Sequence, residues 1–413
     1  MIKFDKFVLK NNLTVIVHRD ETTPMVCLNV LYDVGARDEE ENKTGFAHLF
    51  EHLMFGGSIN IPNYDEPLQM VGGENNAFTT NDLTNYYCTV PAKNIETAFW
   101  LESDRMLSLA FSEKSLEVQR SVVIEEFKQR YLNQPYGDVW LLLRPLAYHV
   151  HPYKWNTIGK EIKHIEDAVM DDVKAFFKKH YQPGHAILVV AGNVTTDEVK
   201  LLAEKWFEPI PAGNPYQRNL PKEPAQTEAR FLSVERDVPV NAIYKAYHMC
   251  ARLDPDYHAV DLMSDVLSRG NSSRLNKVLV KEKKLFNEIN AYVMGEFDNG
   301  LFVVSGKIAD GVDIHTADAA IVEELEKLKH SLVGEEELQK CKNKMESSLL
   351  FSEADVLTKA TNLAISELLG DANLVNTEID KYQAIRAEDI QRVAKNIIQT
   401  NNCSTLHYLA KKA

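Results

Sequence analysis

Two histidines and a glutamate share one short stretch, His48-Leu49-Phe50-Glu51-His52. On a helix, positions 48 and 52 stand about 40° apart around the axis, so both imidazoles leave one face, with Glu51 beside it. Two neutral imidazoles suit a borderline-soft divalent cation such as Zn²⁺. A carboxylate that borders the open coordination position without ligating can take a proton from water. The stretch therefore points to metal-assisted hydrolysis with Glu51 as general base. Such a site needs a third protein ligand, and Lys or Arg cannot serve. The candidates are Glu125 and Glu126, set in Ser121-Val122-Val123-Ile124-Glu125-Glu126-Phe127. Acids inside an apolar helical stretch need a partner, which a metal ion provides. The two point about 100° apart, so one of them can face the site, and the spacing alone does not choose.

The elements that must position these side chains are also indicated. Thr44 reads as the N-cap of a helix over residues 45–55. Further helices are expected at 94–108, 115–131 (carrying both candidate acids) and 170–180, and a buried strand at 186–191. Ahead of them, 7–10 and 13–18 read as a hairpin about Asn11-Asn12, and 25–34 as a further β-rich run. Residues 209–224 are rich in Pro, Asn, Gly and Lys without apolar period, and read as a linker. Beyond them the plan restarts, β-like over 231–249 and helical over 257–268. The run 165–173 leads into a helix and the strand at 187–191; the run 382–390 leads into a helix and a strand at 404–409, about half the chain later. The expectation is a duplicated α+β domain: 1–208 with the metal, 209–224 as linker, 225–413 as its relative.

Composition narrows the class. The chain has 413 residues, more than one ordinary core accommodates. Its apolar and charged fractions, 45% and 26%, are those of a soluble globular protein. A formal charge of −14 argues against nucleic-acid binding, because no net positive field draws a polyanion in. The cysteines Cys27, Cys88, Cys250, Cys341 and Cys403 are scattered and lack CxxC spacing, which predicts reduced thiols and no thiolate metal site. No apolar run is long enough to insert in a membrane. As written the chain reads as cytoplasmic, with the periplasm as its place if a leader has been removed.

Together these residues resemble the pitrilysin family of inverted-zincin metallopeptidases, mitochondrial processing peptidase subunits among them, whose hallmark is the order HxxEH. Gly45-Phe46-Ala47 before the motif and Leu53-Met54-Phe55-Gly56-Gly57-Ser58 after it match the family's flanks. The family's third ligand ends a stretch like Gln119-Arg120-Ser121-Val122-Val123-Ile124-Glu125-Glu126, so the resemblance chooses Glu126. It extends to Asn133-Gln134-Pro135-Tyr136-Gly137, His151-Pro152-Tyr153 with Gly159, and Ser272-Ser273-Arg274-Leu275, nearly the whole chain. It implies one Zn²⁺ per chain on His48, His52 and Glu126, and zinc-dependent endopeptidase activity. The implied fold is α+β: two tandem similar domains, each a mostly antiparallel sheet packed with helices, facing across a chamber. Peptides or unfolded polypeptides would add as a strand along Asn76, Ala77, Phe78 and Thr79, where backbone pairing gives affinity without much sequence demand.

The chain departs from the family in three places. Gln119 stands where members often carry a helper Glu, so that carboxylate is either missing here or supplied by Glu117. Asp261 and Asp265 fall where a duplicated HxxEH would lie, which implies no zinc in the second domain. Val280 and Asn287 replace an Arg and a Tyr that hold substrate and polarise the scissile carbonyl; losing such a donor costs on the order of 3 kcal/mol of transition-state stabilisation. The expectation is that a sister subunit lacking HxxEH supplies the pair, as in the family's split heterodimers; the expected assembly is a homodimer or a heterodimer with a related family member. The competing reading is a catalytically weak, peptide-binding or scaffold subunit. His149, His164, His180 and His185 flank apolar helices and read as satisfied structural groups.

Overall fold

Asn12 takes a left-handed conformation, φ 68°, and turns β1 (Asp5–Val8) into β2 (Thr14–Arg19) as an antiparallel pair in the computed structural model, which describes residues 1–214 and 216–411. Asparagine tolerates that backbone region because its short polar side chain bonds locally. The expected hairpin is present, its first strand beginning two residues earlier. β3 (Met25–Tyr32), β4 (Glu74–Thr79), β5 (Thr84–Pro91) and β6 (Ala186–Gly192) complete a six-stranded sheet of order β1-β2-β6-β3-β5-β4. β6 is buried along its whole length. An unbroken apolar run such as Ile187-Leu188-Val189-Val190-Ala191 suits an interior strand covered on both faces. It pairs parallel with β2 and antiparallel with β3.

The second sheet holds β7 (Arg230–Arg236), β8 (Ala242–His248), β9 (Phe286–Met294), β10 (Leu301–Ile308) and β11 (Cys403–Ala410), in the order β7-β11-β8-β10-β9. Set β1 aside and the two sheets agree strand by strand. β11 lies between a parallel β7 and an antiparallel β8, as β6 lies between β2 and β3. The helices Met170–His180 and Ala387–Ile397 each precede the corresponding central strand. The fold is two tandem α+β domains of like topology.

Each sheet belongs to a compact unit, and the units cross the contiguous division read from the sequence. Residues 129–154 fold with the second unit and residues 350–377 with the first. The apolar faces account for this. The helix Val139–Ala147 buries Val139, Leu143 and Ala147, spaced four apart, among Ala246, Val303, Leu406 and Tyr408 of the second sheet. The helix Val356–Leu368 buries Ala360, Leu363 and Ala364 and packs on β3 and β6 of the first. Full burial of one leucine such as Leu363 contributes roughly 1.5–3 kcal/mol, so neither helix is indifferent to where it lies.

Residues 209–224 carry no helix or strand among those described; Pro215 within them lies outside the described residues. Arg218 nonetheless ties the part up to residue 220 to the first unit, donating to Asp38 Oδ1 at 2.7 Å and Asp33 Oδ1 at 2.8 Å, while residues 221–224 go with the second. The five cysteines are free thiols, four of them buried. No helix among the described residues is long and apolar enough to cross a membrane.

Candidate metal centre

The motif helix spans Phe46–Leu53 and is fixed at its start by two devices. Gly45 has φ 87°, and a Cβ there would stand 2.7 Å from the Ile158 carbonyl oxygen, so the position tolerates glycine alone. Glu39 caps the helix from a distance, accepting the N–H of Gly45 at 2.9 Å and of Ala47 at 2.8 Å. Thr44, expected as the cap, serves elsewhere: its buried hydroxyl meets His164 Nδ1 at 2.8 Å and accepts the Lys160 N–H at 2.7 Å. Burial, the largest influence, pushes the Glu39 carboxyl up to about 8 against the two backbone donors.

The back of the helix is held by aromatic rings. Phe50 projects roughly opposite the histidine pair and packs on Phe176, Phe177 and Tyr181 with centroids 5.2, 6.1 and 4.9 Å away. Behind the helix end, fully buried Arg105 pairs with Glu102 and lies over the rings of Tyr86, Tyr64 and Phe55 at 4.5, 4.7 and 5.3 Å. Burial holds the Tyr86 and Tyr181 phenols well above their usual range, with the Glu51 carboxylate a smaller cause in the same direction.

With the back locked, His48 and His52 project together, their rings 4.8 Å apart and perpendicular. The second helix, Glu113–Phe127, starts at Ser112, whose side chain accepts the Ser115 N–H. It buries Leu116, Val123 and Phe127, then passes into a π-helical turn over Lys128–Leu132, where a continued α-helix was expected. Arg120 anchors it, donating to the Ala168 carbonyl at 2.5 Å. This orientation separates the two acids. Glu125 is 60% exposed and pairs with Lys128 at 2.7 Å, whereas Glu126 Oε2 lies 3.4 Å from His52 Nε2 and 3.7 Å from His48 Nε2.

Among the described residues, His48, His52 and Glu126 form the one group of three such side chains whose donor atoms all lie within 4.8 Å of one another. Two imidazoles and a carboxylate converging at the surface of partly exposed helices fit a tetrahedral cation with its fourth position open to water. Glu51 stands beside them, its Oε2 accepting the Thr79 hydroxyl at 2.6 Å. Asn76, Ala77, Phe78 and Thr79 all lie on β4, which ends the first sheet, so alternate backbone groups of this strand face an open edge.

The remaining positions singled out in the sequence lie apart from this cluster. Glu117 is 67% exposed and pairs with Arg120 one turn on. In the second unit, Asp261 accepts the Tyr382 hydroxyl at 2.6 Å and Asp265 pairs with Arg269 at 3.0 Å. Val280 packs against the second core, and Asn287 donates to the Ile308 carbonyl at 3.2 Å. Of the histidines read as structural, His164 is bonded to Thr44 and His185 Nε2 to the Asn214 carbonyl at 3.2 Å. Burial holds His180 down to about 3, so it is neutral. The sequence reading missed Glu39 as a cap and Thr79 as a partner of Glu51. An acidic run before a helix signals favourable charge at its N-terminus, but not which acid reaches it.

Comparison with known proteins covers most of the chain. A family model described as Insulinase (Peptidase family M16) matches residues 14–140, and one described as Peptidase M16 inactive domain matches residues 167–345. The chain is 31% identical to the zinc protease PqqE of Helicobacter pylori over 98% of its own length and 92% of the relative's. It is 24% identical to a probable mitochondrial-processing peptidase subunit beta of Arabidopsis thaliana, over 94% and 75%. The crystal structure of a protease from Helicobacter pylori superposes with a TM-score of 0.92 at 29% identity, covering 99% of this chain and all of that one.

Proposed function

Because the chain belongs to peptidase family M16, the pitrilysin family of zinc proteases, we propose that it is a zinc metalloendopeptidase cutting peptides or unfolded polypeptides at the centre on its motif helix. The observation that carries this reading is the convergence of His48, His52 and Glu126 with Glu51 beside them. A zinc ion bound by the three would supply a Lewis acid that lowers the pKa of water to about 7. Glu51 takes a proton from the attacking water and returns it to the leaving amine nitrogen, as a general base that becomes a general acid. β4 offers the substrate backbone an edge to pair with, through Asn76, Ala77, Phe78 and Thr79.

The chain has no Arg/Tyr pair at Val280 and Asn287, so we assign that function to a second subunit. A heterodimer with a related family member that carries the pair meets the requirement; a second copy of this chain does not, since it has the same Val280 and Asn287. The likeness to a processing peptidase beta subunit, which its name marks as one part of an assembly, supports this. The same two positions favour a second reading, a peptide-binding subunit with weak catalysis of its own. Glu51→Gln in the protein purified with whatever accompanies it separates the two. The peptidase reading expects about one zinc per chain to remain while turnover falls by about 10²-fold or more. Turnover unaffected by the substitution would remove Glu51 from the mechanism.

A further inference from the structure

The Thr79 hydroxyl donates to Glu51 Oε2 at 2.6 Å, within the range of a charge-assisted O–H···O⁻ bond. The two partners differ in stiffness. A glutamate rotates about three side-chain bonds, whereas a β-branched threonine on a strand has restricted χ1 freedom. The stiff residue therefore places the flexible one.

The end of the strand is itself pinned. The Thr80 N–H donates to the Leu83 carbonyl at 2.8 Å, and Thr80 Oγ1 accepts the N–H groups of Asp82 and Leu83 at 3.1 Å each, closing a tight turn from β4 into β5. The Asn81 carbonyl accepts the Arg37 N–H at 2.9 Å. Arg37 Nη1 also meets Asp82 Oδ1 at 2.9 Å, in an ion pair whose side chains are 6% and 5% exposed. Thr84, directly across from Thr79 in the pairing, directs its hydroxyl to the Val34 carbonyl at 2.8 Å and does not compete for Glu51.

We infer that Thr79 is a positioning residue for the general base: its hydroxyl fixes the Glu51 carboxylate and ties it to the strand along which a substrate backbone would add. This rests on the reading of Glu51 as base. A residue that only contacts substrate acts on KM, whereas one that holds the base acts on kcat.

The test uses the full chain, purified with any subunit that accompanies it. Thr79→Val keeps the branched shape and lacks the donor; Thr79→Ser keeps the donor. The expected result for Thr79→Val is a loss of about 10-fold or more in kcat, with KM within about 2-fold and bound zinc unchanged. Its crystal structure should show the Glu51 carboxylate away from the wild-type position. Thr79→Ser should keep kcat within about 3-fold. Wild-type kcat in Thr79→Val, a change confined to KM, or a serine variant as impaired as the valine one overturns the inference. Should valine prevent folding, Thr79→Ala enters the same comparison. If the wild-type protein cleaves no peptide, the peptidase reading fails by itself, and the Glu51 position in the variant crystal still decides the role of Thr79.

Discussion

The Glu39 carboxylate accepts the Ala47 N–H at 2.8 Å, one residue ahead of the first imidazole of the metal centre. Burial pushes this group up to about 8, above the unfolded value of about 4.3. The folded state therefore holds the extra proton. The stability contributed by this group is complete below the unfolded value and is lost as pH rises through about 8. Urea denaturation at constant ionic strength should show the unfolding free energy declining between about pH 5 and pH 8. Glu39→Gln should remove that decline. A decline of equal steepness in the variant would assign it to another group.

Glu125 and Glu126 are adjacent and chemically identical, yet their substitutions should differ sharply. Glu126→Gln is expected to weaken zinc binding by about 100-fold or more, since removing a ligand exceeds the 10–100-fold effect of an outer-shell change. Glu125→Gln, which loses only an exposed pair with Lys128, should bind zinc normally and change stability by less than about 0.5 kcal/mol. Competitive chelator titration reads the first effect and denaturant unfolding the second.

Stripping zinc from the wild-type chain should lower its thermal midpoint. A ligand at 1,000 times its Kd stabilises the native state by about 4 kcal/mol. The His52→Ala variant should melt at the same temperature with and without chelator. A chelator-dependent midpoint in that variant would place the ion elsewhere.

Arg105 and Glu102 are both buried, side chains 2% and 1% exposed, so the pair has no solvent to fall back on. Arg105→Met leaves the Glu102 charge buried without its cation and should cost about 3–5 kcal/mol. The double change Arg105→Met with Glu102→Leu should recover much of that loss. A double-mutant cycle in urea measures the coupling directly.

Restoring the missing pair within this chain should fail. Val280 packs against the second core, and Asn287 is bonded to its own sheet. Val280→Arg with Asn287→Tyr is expected to destabilise by about 1–3 kcal/mol, because a charged group enters an apolar contact. Peptidase assays should show no gain over wild type.

Particular residues show why some of this was legible and some was not. The helix Tyr257–Ser268 is legible at its observed limits and the strand β6 to within a residue, because both are buried over nearly all their residues and read as dense apolar runs. Periodicity put Glu125 and Glu126 on one helix without choosing between them; the choice came from family resemblance, and the structure places Glu126 near the two imidazoles and Glu125 in an exposed pair with Lys128. The motif helix was found, but its cap was misread. Thr44 has the right residue type in the right place, and the Gly45 N–H is taken instead by a carboxylate six residues back. The two transposed helices were illegible for a similar reason. Amphipathic patterning says that Val139, Leu143 and Ala147 share a buried face and is silent about which sheet they bury against.

That transposition makes the two halves of the gene product mutually dependent. A fragment ending near residue 220 would leave β3 and β6 without the cover of Ala360, Leu363 and Ala364, and a fragment beginning there would lack Leu143. Each piece would carry an uncovered apolar sheet face into solution, with complementation by coexpression as the remedy. The first sheet is thus completed by residues 350–377, which are translated after β7 to β10 of the second.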